Sequence, residues 1–454
     1  MKDLIQSAVE VYNKEGFEKT CKKSYDFVRS TIKDRIFELG VILLAPSVDI
    51  LDKIQNNDPK LVLFSTAPGR FYKGNPRYVF EYILENRKEI TPVWMAHSKK
   101  VYNELDEVGL PVVYVYSLEG ITILSKAPVY VAIHHRGLSI DPRIVPDTVT
   151  FINTNHGDGV MGEFHLSEDE IRDLRRPFEK YHDYWLTTSE FIRDARMKNF
   201  TKNRGDIEKF VNNTSITFEI TGYPRNDILL DTTNDIRLEW EQFTQDIDVS
   251  SVILYAPSKH YGIDVSSTDP AVKFFPFSNF DHEQLFDFLE EHQTLLLIRP
   301  HPGCVEKMME RSSGPYDIMQ TNIEKLCSGS QYVKKATQYQ YEDVNRLLPF
   351  VDSLITDYSS IYHDFLLLDR PILFIPYDFE AYQNERGFVY DYYQYLPGPK
   401  VDSFEQFKEL IKSINDGNDT HVDRRHNLRN LIHEHQDSQS RERVTELIID
   451  KLEY

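Results

Sequence analysis

The chain has 454 residues, which is too long for one ordinary domain, so we expect two domains of roughly 200 residues each. Its net charge of −20 argues against a nucleic-acid-binding protein and against adhesion to anionic lipid through bulk charge. The three cysteines are widely spaced and odd in number, which fits a reducing compartment and gives no zinc spacing. The sequence contains no metal motif and no Walker loop, so we expect no cofactor, and a divalent metal is not indicated.

The N-terminal segment carries charges throughout and lacks an apolar core of signal-peptide length. Elsewhere no run of about 18 apolar residues occurs, so the sequence predicts a cytoplasmic protein. Residues 1–40 have apolar side chains near helical spacing and are predicted to form an N-terminal helical segment. We expect this segment to pack on the body of the protein, with a membrane surface or a partner as the alternative.

Short apolar segments then recur at intervals of helical length. They cover residues 41–45, 61–64, 92–95, 112–116, 129–133, 148–153 and 184–188. This repeat of strand, turn and helix predicts a mostly parallel sheet that is covered on both faces. We assign residues 41–225 to a first Rossmann-like domain, residues 226–250 to a connector, and residues 251–454 to a second Rossmann-like domain with C-terminal helices.

A histidine lies directly after one of these strands, in the run Thr154-Asn155-His156-Gly157-Asp158-Gly159. The glycines permit a tight turn, and ligands of open α/β sheets bind at the carboxyl ends of the strands. Taken alone, the pattern leaves open whether His156 is functional or structural.

Two further loops follow buried strands in the second half of the chain. Residues 295–298 run into Arg299-Pro300-His301-Pro302, where the prolines restrict the backbone. Residues 351–355 run into a helix that opens with Asp357, Ser359 and Ser360. Such a helix start offers hydroxyls, unpaired N–H groups and a favourable dipole to an anion, which predicts a phosphate site. An ordinary helix cap has the same composition and is the alternative.

The stretch 356–392 closely resembles the C-terminal signature of the CDP-glycerol glycerophosphotransferase family, the polymerases and primases of teichoic acids and related capsule polymers. The shared features are Thr-Asp-Tyr-Ser-Ser at 356–360, Arg370-Pro371, Tyr377-Asp378, Tyr382 and Arg386-Gly387-Phe388. Residues 71–78, the Gly-x-Pro-Arg-x-Asp at 222–227 and the Arg-x-His at 299–301 are also similar to the family. The resemblance implies a GT-B type α/β fold, in which two doubly wound Rossmann-like domains face each other across a cleft.

The resemblance also implies a transferase. It would move an alditol phosphate, glycerol phosphate first of all, from CDP-glycerol or CDP-ribitol to a hydroxyl of a cell-wall or capsule polymer or of its lipid-linked primer, with release of CMP. His156 matches the histidine of the family's Trp-His-Gly motif, which is implicated as the catalytic base, and a histidine with a pKa of about 6.5 suits this role. Asn155 replaces the tryptophan, and Asp158-Gly159 replaces the usual Thr-Pro, which leaves the acceptor open.

On the donor side, the resemblance places His301 at the phosphates of the donor, as a charged hydrogen-bond donor or as a general acid towards CMP. Lys259 stands one position before the family's arginine, with a solvated turn lysine as the alternative. The predicted phosphate contacts are Arg299, Lys259, Ser359 and Ser360, and the groups predicted to orient donor or acceptor are Asp357, Asp378 and Arg386.

Two other functions remain open at this stage. The chain could be a GT-B glycosyltransferase that uses a nucleotide sugar, or a catalytically inactive scaffold in a polymer-assembly complex. The sequence also leaves open whether the donor contains glycerol or ribitol, whether one unit or many are added, and the oligomeric state. A lipid-linked acceptor would bring the protein to the inner face of the cell membrane as a peripheral protein.

Overall fold

The computed structural model describes residues 57–66, 71–133, 145–157, 183–198, 208, 211–212, 214–245, 247–258, 275–309 and 315–452. The predicted N-terminal helical segment, the predicted strand at 41–45, Asp158-Gly159 and Lys259 lie outside these residues.

Within the described residues, seven parallel strands form a first sheet in the order β3-β2-β1-β4-β5-β6-β7. These strands are β1 (Leu61–Ser65), β2 (Thr91–Ala96), β3 (Val112–Tyr114), β4 (Val129–Ala132), β5 (Thr150–Asn153), β6 (Tyr184–Thr187) and β7 (Thr217–Ile220). The helices of this half are α1 (Asn75–Asn86), α2 (Lys99–Glu107), α3 (Leu118–Leu124) and α4 (Glu190–Met197). The strand order reverses between β1 and β4, and such a switch point is where doubly wound sheets bind ligands.

A second parallel sheet has the order β10-β9-β8-β11-β12. Its strands are β8 (Ser251–Tyr255), β9 (Thr294–Ile298), β10 (Val333–Lys335), β11 (Ser353–Thr356) and β12 (Ile372–Phe374). The remaining helices are α5 (Asp227–Leu230), α6 (Asn234–Thr244), α7 (His282–Glu291), α8 (Pro302–Met309), α9 (Pro315–Gly329), α10 (Val344–Leu347), α11 (Ile361–Phe365), α12 (Phe379–Glu385), α13 (Phe404–Asn415), α14 (Val422–Ile432) and α15 (Ser440–Leu452).

The strands read as continuous apolar runs because both faces of each sheet are covered. In β1, Leu61 and Leu63 lie in one hydrophobic cluster, whereas Val62 and Phe64 lie in the cluster on the opposite face. Every residue of β1 is buried. This alternation is expected of a central parallel strand between two layers of helices.

The last helix returns to the first sheet. Val444 and Ile448 of α15 pack in the same cluster as Val62 and Phe64. The buried carboxylate of Asp227 holds the start of α15, because it accepts hydrogen bonds from the backbone N–H groups of Ser440 (3.0 Å) and Arg441 (2.8 Å). This helix lies within the predicted range of the second domain, residues 251–454, and it packs against the first sheet.

The described part of the chain contains no helix that is both long enough and apolar enough to cross a bilayer.

Candidate active site

The turn that carries His156 follows β5 and is held through its backbone. The side-chain amide of Asn75 donates to the carbonyl oxygens of Thr154 (2.8 Å) and Asn155 (2.9 Å). Asn155 has a left-handed φ of 59°, which asparagine tolerates better than most residues. Its amide oxygen accepts from the N–H of His156 (2.7 Å), and its amide nitrogen donates to the hydroxyl of Tyr223 (3.0 Å). The His156 residue itself is exposed.

Arg225 closes the same turn. One nitrogen of its guanidinium group, Nη1, donates to the carbonyl oxygen of His156. Gly157 has a φ of 123°, and a Cβ at that position would lie 2.7 Å from Nη2 of Arg225. The glycine after the histidine is therefore required twice, for its backbone conformation and for the space that the guanidinium group occupies.

Arg225 also forms a buried ion pair with Asp364. Its Nη2 lies 2.8 Å from Oδ2 of Asp364, and the exposed fractions of the two side chains are 11% and 7%. Burial is the largest influence on Arg225 and opposes its charge, but the attraction and hydrogen bonding of Asp364, together with Tyr223 and Asp343, outweigh it, and the pKa of Arg225 is raised. Because Asp364 lies in α11, this pair joins the His156 turn of the first sheet to the helix start predicted to bind phosphate.

That helix start contains half-buried Ser359 and Ser360. Ser360 occupies the cap position of α11, and no capping bond of its side chain is found among the described residues. Asp357 is buried and accepts, through Oδ1, from the N–H groups of Ser258 (2.8 Å) and Tyr358 (2.6 Å). Asp357 therefore ties the loop after β11 to the loop after β8. The phosphate contacts of the two serines stay a prediction.

His301 lies in the loop between β9 and α8. Its Nδ1 accepts a hydrogen bond of 3.0 Å from the N–H of Gly303. An accepting Nδ1 carries no proton, so the imidazole that makes this bond is neutral and presents an N–H at Nε2. The contact of His301 with the donor phosphates, as a charged donor or as a general acid, stays a prediction. To become an imidazolium ion, His301 must first give up the bond to Gly303.

Arg299 donates hydrogen bonds to carbonyl groups of its own half of the protein. Its Nη1 donates to the carbonyl oxygens of Ala336 (2.5 Å) and Tyr341 (2.8 Å), and Nη2 donates to that of Glu342 (3.3 Å). Burial lowers the pKa of Arg299 to about 10. These bonds fix the loop after β10, and a contact between Arg299 and a phosphate stays a prediction.

Asp378 and Arg386 flank α12. Oδ1 of Asp378 accepts from the hydroxyl of Tyr358 (3.0 Å), whose ring stacks on that of Tyr382 with centroids 4.0 Å apart. The N–H of Arg386 donates to the carbonyl oxygen of Tyr382 (2.8 Å), and Gly387 follows with a left-handed φ of 72°. The Arg386-Gly387 pair thus ends the helix in a conformation that favours glycine. The proposed contacts of Asp378 and Arg386 with donor or acceptor stay predictions.

The family model for CDP-glycerol:poly(glycerophosphate) glycerophosphotransferase matches residues 50–450. The chain belongs to this family. It is 30% identical over 366 residues to the teichoic acid poly(glycerol phosphate) polymerase of Bacillus subtilis, which covers 78% of this chain and 44% of that protein. It is 26% identical over 434 residues to the teichoic acid glycerol-phosphate transferase of Staphylococcus aureus, which covers 92% of this chain and 99% of that protein.

The chain therefore spans less than half of the Bacillus polymerase but nearly the whole of the Staphylococcus transferase. Its fold is similar to that of the wall teichoic acid polymerase TagF, with a TM-score of 0.68 at 20% identity over 95% of this chain and 98% of that chain. The similarity confirms the predicted GT-B type fold of two Rossmann-like units. Family membership confirms the predicted class of enzyme, a glycerophosphotransferase.

Within this glycerophosphotransferase family, the chain departs from the expected motif at Asn155. The structure shows what the departure does: the Asn155 amide is buried and bonds both to the next residue and to Tyr223. A tryptophan has no oxygen that could accept from the N–H of His156. At residue 155, the His156 turn therefore makes a side-chain bond that the family's tryptophan could not make. The glycine that leaves space for Arg225 is retained.

Sequence reasoning missed Asn75, Asp364 as a partner of Arg225, and Lys73. Lys73 belongs to the loop before α1, and its Nζ lies 4.2 Å from the centre of the Phe71 ring. Burial lowers the pKa of Lys73, and Asp343, whose Oδ2 accepts from the Tyr78 hydroxyl (2.6 Å), acts in the opposite direction.

The sequence points to some of these residues through its resemblance to the family. Residues 71–78 and 222–227 both resemble the family, but the resemblance implies no catalytic or binding role for either segment. A motif can mark a side chain as important. It does not identify a hydrogen-bond partner that lies far away in the sequence.

Among the described residues, no group of three or more His, Cys, Asp or Glu side chains could hold a metal ion. Activity without a divalent metal stays a prediction.

Proposed function

We propose that this chain transfers glycerol phosphate from CDP-glycerol to a hydroxyl group of a wall polymer or of its lipid-linked primer, and releases CMP. The observation that carries the proposal is the bridge from His156 through Arg225 to Asp364. It joins a candidate base on the first sheet to a candidate phosphate site on the second. A transferase with one substrate on each half of the cleft needs such an arrangement.

The comparisons favour glycerol over ribitol as the alditol. The glycerol-phosphate proteins named above match 78% and 92% of this chain. Two ribitol-phosphate polymerases, from Bacillus spizizenii and Staphylococcus aureus, match only 57% and 49% of it. CDP-ribitol is therefore the second donor to test, and a capsule polymer is the second acceptor.

The proposed chemistry begins at His156. Its imidazole takes the proton of the acceptor hydroxyl while the oxygen attacks the distal phosphorus of CDP-glycerol. The bond from this phosphorus to the bridging oxygen breaks, and the electron pair leaves with CMP. General base catalysis of this kind contributes about 10²- to 10⁴-fold. The exposure of His156 supports the assignment, because the acceptor must reach the imidazole from the cleft.

Negative charge grows on the leaving CMP and must be met by fixed hydrogen-bond donors. His301 offers Nε2–H in its neutral form, and Ser359 and Ser360 offer hydroxyls. Lys73 is a further candidate to supply positive charge, and a bound phosphate would favour its charged form, which burial disfavours.

We further propose that the protein works in the cytoplasm at the inner face of the membrane. A lipid-linked primer, one of the two proposed acceptors, would bring the protein to this location.

The test compares CDP-glycerol, CDP-ribitol and a nucleotide sugar as donors, side by side with a crude lipid-linked acceptor. It measures CMP release from the two CDP-alditols and release of the nucleoside diphosphate from the nucleotide sugar. Release from CDP-glycerol that is lost in His156→Ala is the expected result. Release only from the nucleotide sugar would instead support a glycosyltransferase, and no release from any donor would support a scaffold.

Donor binding is tested separately with the double variant Ser359→Ala/Ser360→Ala. We expect its affinity for CDP-glycerol, measured by calorimetry, to fall about tenfold, the cost of roughly one lost hydrogen bond to a charged group. Ser328→Ala, in which an exposed serine of α9 is changed, is the matched control. An unchanged affinity in the double variant would contradict the phosphate site.

A further inference from the structure

We infer that the ion pair of Arg225 and Asp364 is the positioning device that sets the imidazole of His156 against the donor. This inference rests on the proposed function and assigns to the pair a part in the catalytic step. Neither residue needs to touch a substrate, because the pair acts through the backbone of the His156 turn.

The His156 turn is anchored through three successive carbonyl oxygens. Its carbonyl oxygens at 154 and 155 accept from Asn75, and that at 156 accepts from Arg225. Residue 157 is a glycine against which the guanidinium group packs. Arg225 thus fixes the peptide that lies directly after the proposed base, at the point where the backbone is otherwise most free to rotate.

Arg225 is itself held in place by a network of hydrogen bonds. Oδ2 of Asp364 accepts from Nη2 (2.8 Å) and Nε (3.2 Å) of the guanidinium group, and Oδ1 accepts from the amide of Asn226 (2.9 Å). The oxygen of the Asn226 side chain accepts in turn from Asn345 (2.9 Å). A buried network in which these groups have partners holds each member in one orientation.

This network connects the two halves of the protein. Asp364 and Asn345 belong to the second half of the protein, in α11 and α10, whereas the His156 turn belongs to the first sheet. The backbone of Arg225 is also tied to the first half, because its N–H donates to Oδ1 of Asn75 (3.1 Å). Arg225 therefore spans the two halves, and the distance from base to donor depends on it.

This placement predicts a specific kinetic signature. A misplacement of about 1 Å in a reacting group costs about 10²-fold in rate. The His301 loop is held within the second half, by Gly303 and by the bonds of Arg299. Loss of the Arg225–Asp364 pair should therefore lower kcat and leave the KM for CDP-glycerol nearly unchanged.

The experiment compares wild type with Arg225→Ala, Arg225→Lys and Asp364→Asn in the CMP-release assay. We expect kcat to fall about 10²-fold in each variant, with the KM for CDP-glycerol changed less than about threefold. Arg441→Ala is the matched control. Arg441 pairs with Asp227, which lies two residues after Arg225, but among the described residues it has no bond to the His156 turn. The control should retain its kcat.

Guanidinium ion added below denaturing concentration should restore kcat in Arg225→Ala at least about tenfold, because it can occupy the vacated site beside Asp364. Sodium chloride at equal ionic strength should restore nothing, and guanidinium should restore nothing in His156→Ala. Rescue of this kind distinguishes positioning from a loss of stability, which guanidinium would worsen.

Three results would overturn the inference: unchanged kcat in the variants, a rise in KM with unchanged kcat, or lowered kcat in Arg225→Ala without rescue by guanidinium. If Arg225→Ala does not fold, full kcat in Arg225→Lys and Asp364→Asn would overturn it equally. A wild type that releases no CMP from any CDP-alditol contradicts the proposed function, whereas an active wild type with unaffected variants contradicts this inference alone.

Discussion

The two histidine loops of this protein are built in opposite ways, although each follows the carboxyl end of a parallel strand. The His156 turn is held by Asn75 and Arg225, which lie 79 and 69 residues from the atoms they bind. The His301 ring is held by Gly303, two residues away. The bonds described for the first loop therefore come from distant segments, whereas the bond described for the His301 ring comes from its own helix start.

The difference matters for a transferase with two substrates. A locally built loop can bind the donor as soon as the second sheet has folded. A loop built from distant segments takes its final position only when both halves are in place. We therefore expect changes around His301 to affect donor binding and the chemical step together, and changes around His156 to affect the chemical step alone.

The largest effect is expected from His156→Ala, which removes the proposed base but keeps the backbone groups through which Asn155 and Arg225 hold the turn. Transfer should fall about 10³-fold, while the affinity for CDP-glycerol, measured by calorimetry, should stay within about twofold. His421→Ala, at the start of α14, is the control. Measurable turnover near the wild-type rate would remove His156 from the mechanism.

The second prediction separates the two functions of His301. Asn can accept from an N–H two residues on, so His301→Asn should keep the bond to Gly303 but lose the donor at Nε2. We expect CMP release to fall about 10²-fold in both His301→Asn and His301→Ala. Only His301→Ala should also lower the free energy of unfolding, by about 1 kcal/mol. Full activity in His301→Asn would show that the ring serves only as a cap.

A third and smaller effect is expected from Asn75→Ala, which affects the His156 turn but not the His301 loop. Three hydrogen bonds of a buried amide are lost, so the free energy of unfolding in urea should fall by about 2–3 kcal/mol, and kcat should fall about tenfold. Asn86→Ala is the matched control, because Asn86 is an exposed residue of the same helix. Equal effects in the two variants would contradict the proposed support of the turn.

The smallest effect on transfer concerns His97, which follows β2 at the same edge of the sheet as His156. Burial lowers its pKa from 6.5 to about 4, and its ring lies 6.0 Å from that of Tyr116. The unfolded chain then binds a proton at His97 between pH 6.5 and 4, whereas the folded chain does not. Stability should therefore fall as the pH decreases through this range and level off below it.

The contribution of His97 is at most about 3 kcal/mol. It is measured as the difference between wild type and His97→Gln in the free energy of urea unfolding at pH 7 and pH 4.5. Parallel pH curves for the two proteins would contradict the prediction. The variant should transfer glycerol phosphate normally at pH 7, where His97 is neutral in either state.

Much of the fold was predictable, because a buried parallel strand has a strong sequence pattern. The segments at 61–64, 112–116, 129–133 and 184–188 correspond to β1, β3, β4 and β6. In contrast, β7 (Thr217–Ile220) was missed, since it is an edge strand whose residues are not buried and whose pattern is not apolar. The return of α15 to the first sheet was missed as well, because position in the chain does not reveal which sheet a terminal helix covers.

The sequence alone determined the family, the parallel sheets and the positions of both histidines, because each is carried by a short motif or by local apolar periodicity. The tertiary structure decided how those motifs are supported. Arg299 proved to hold three carbonyl groups of its own half. Arg225 proved to join His156 to Asp364 across the two halves. The physical reason is that a long polar side chain takes its partner from whatever lies within about 3 Å, and only the packing of the two sheets brings residues so distant in sequence to that range.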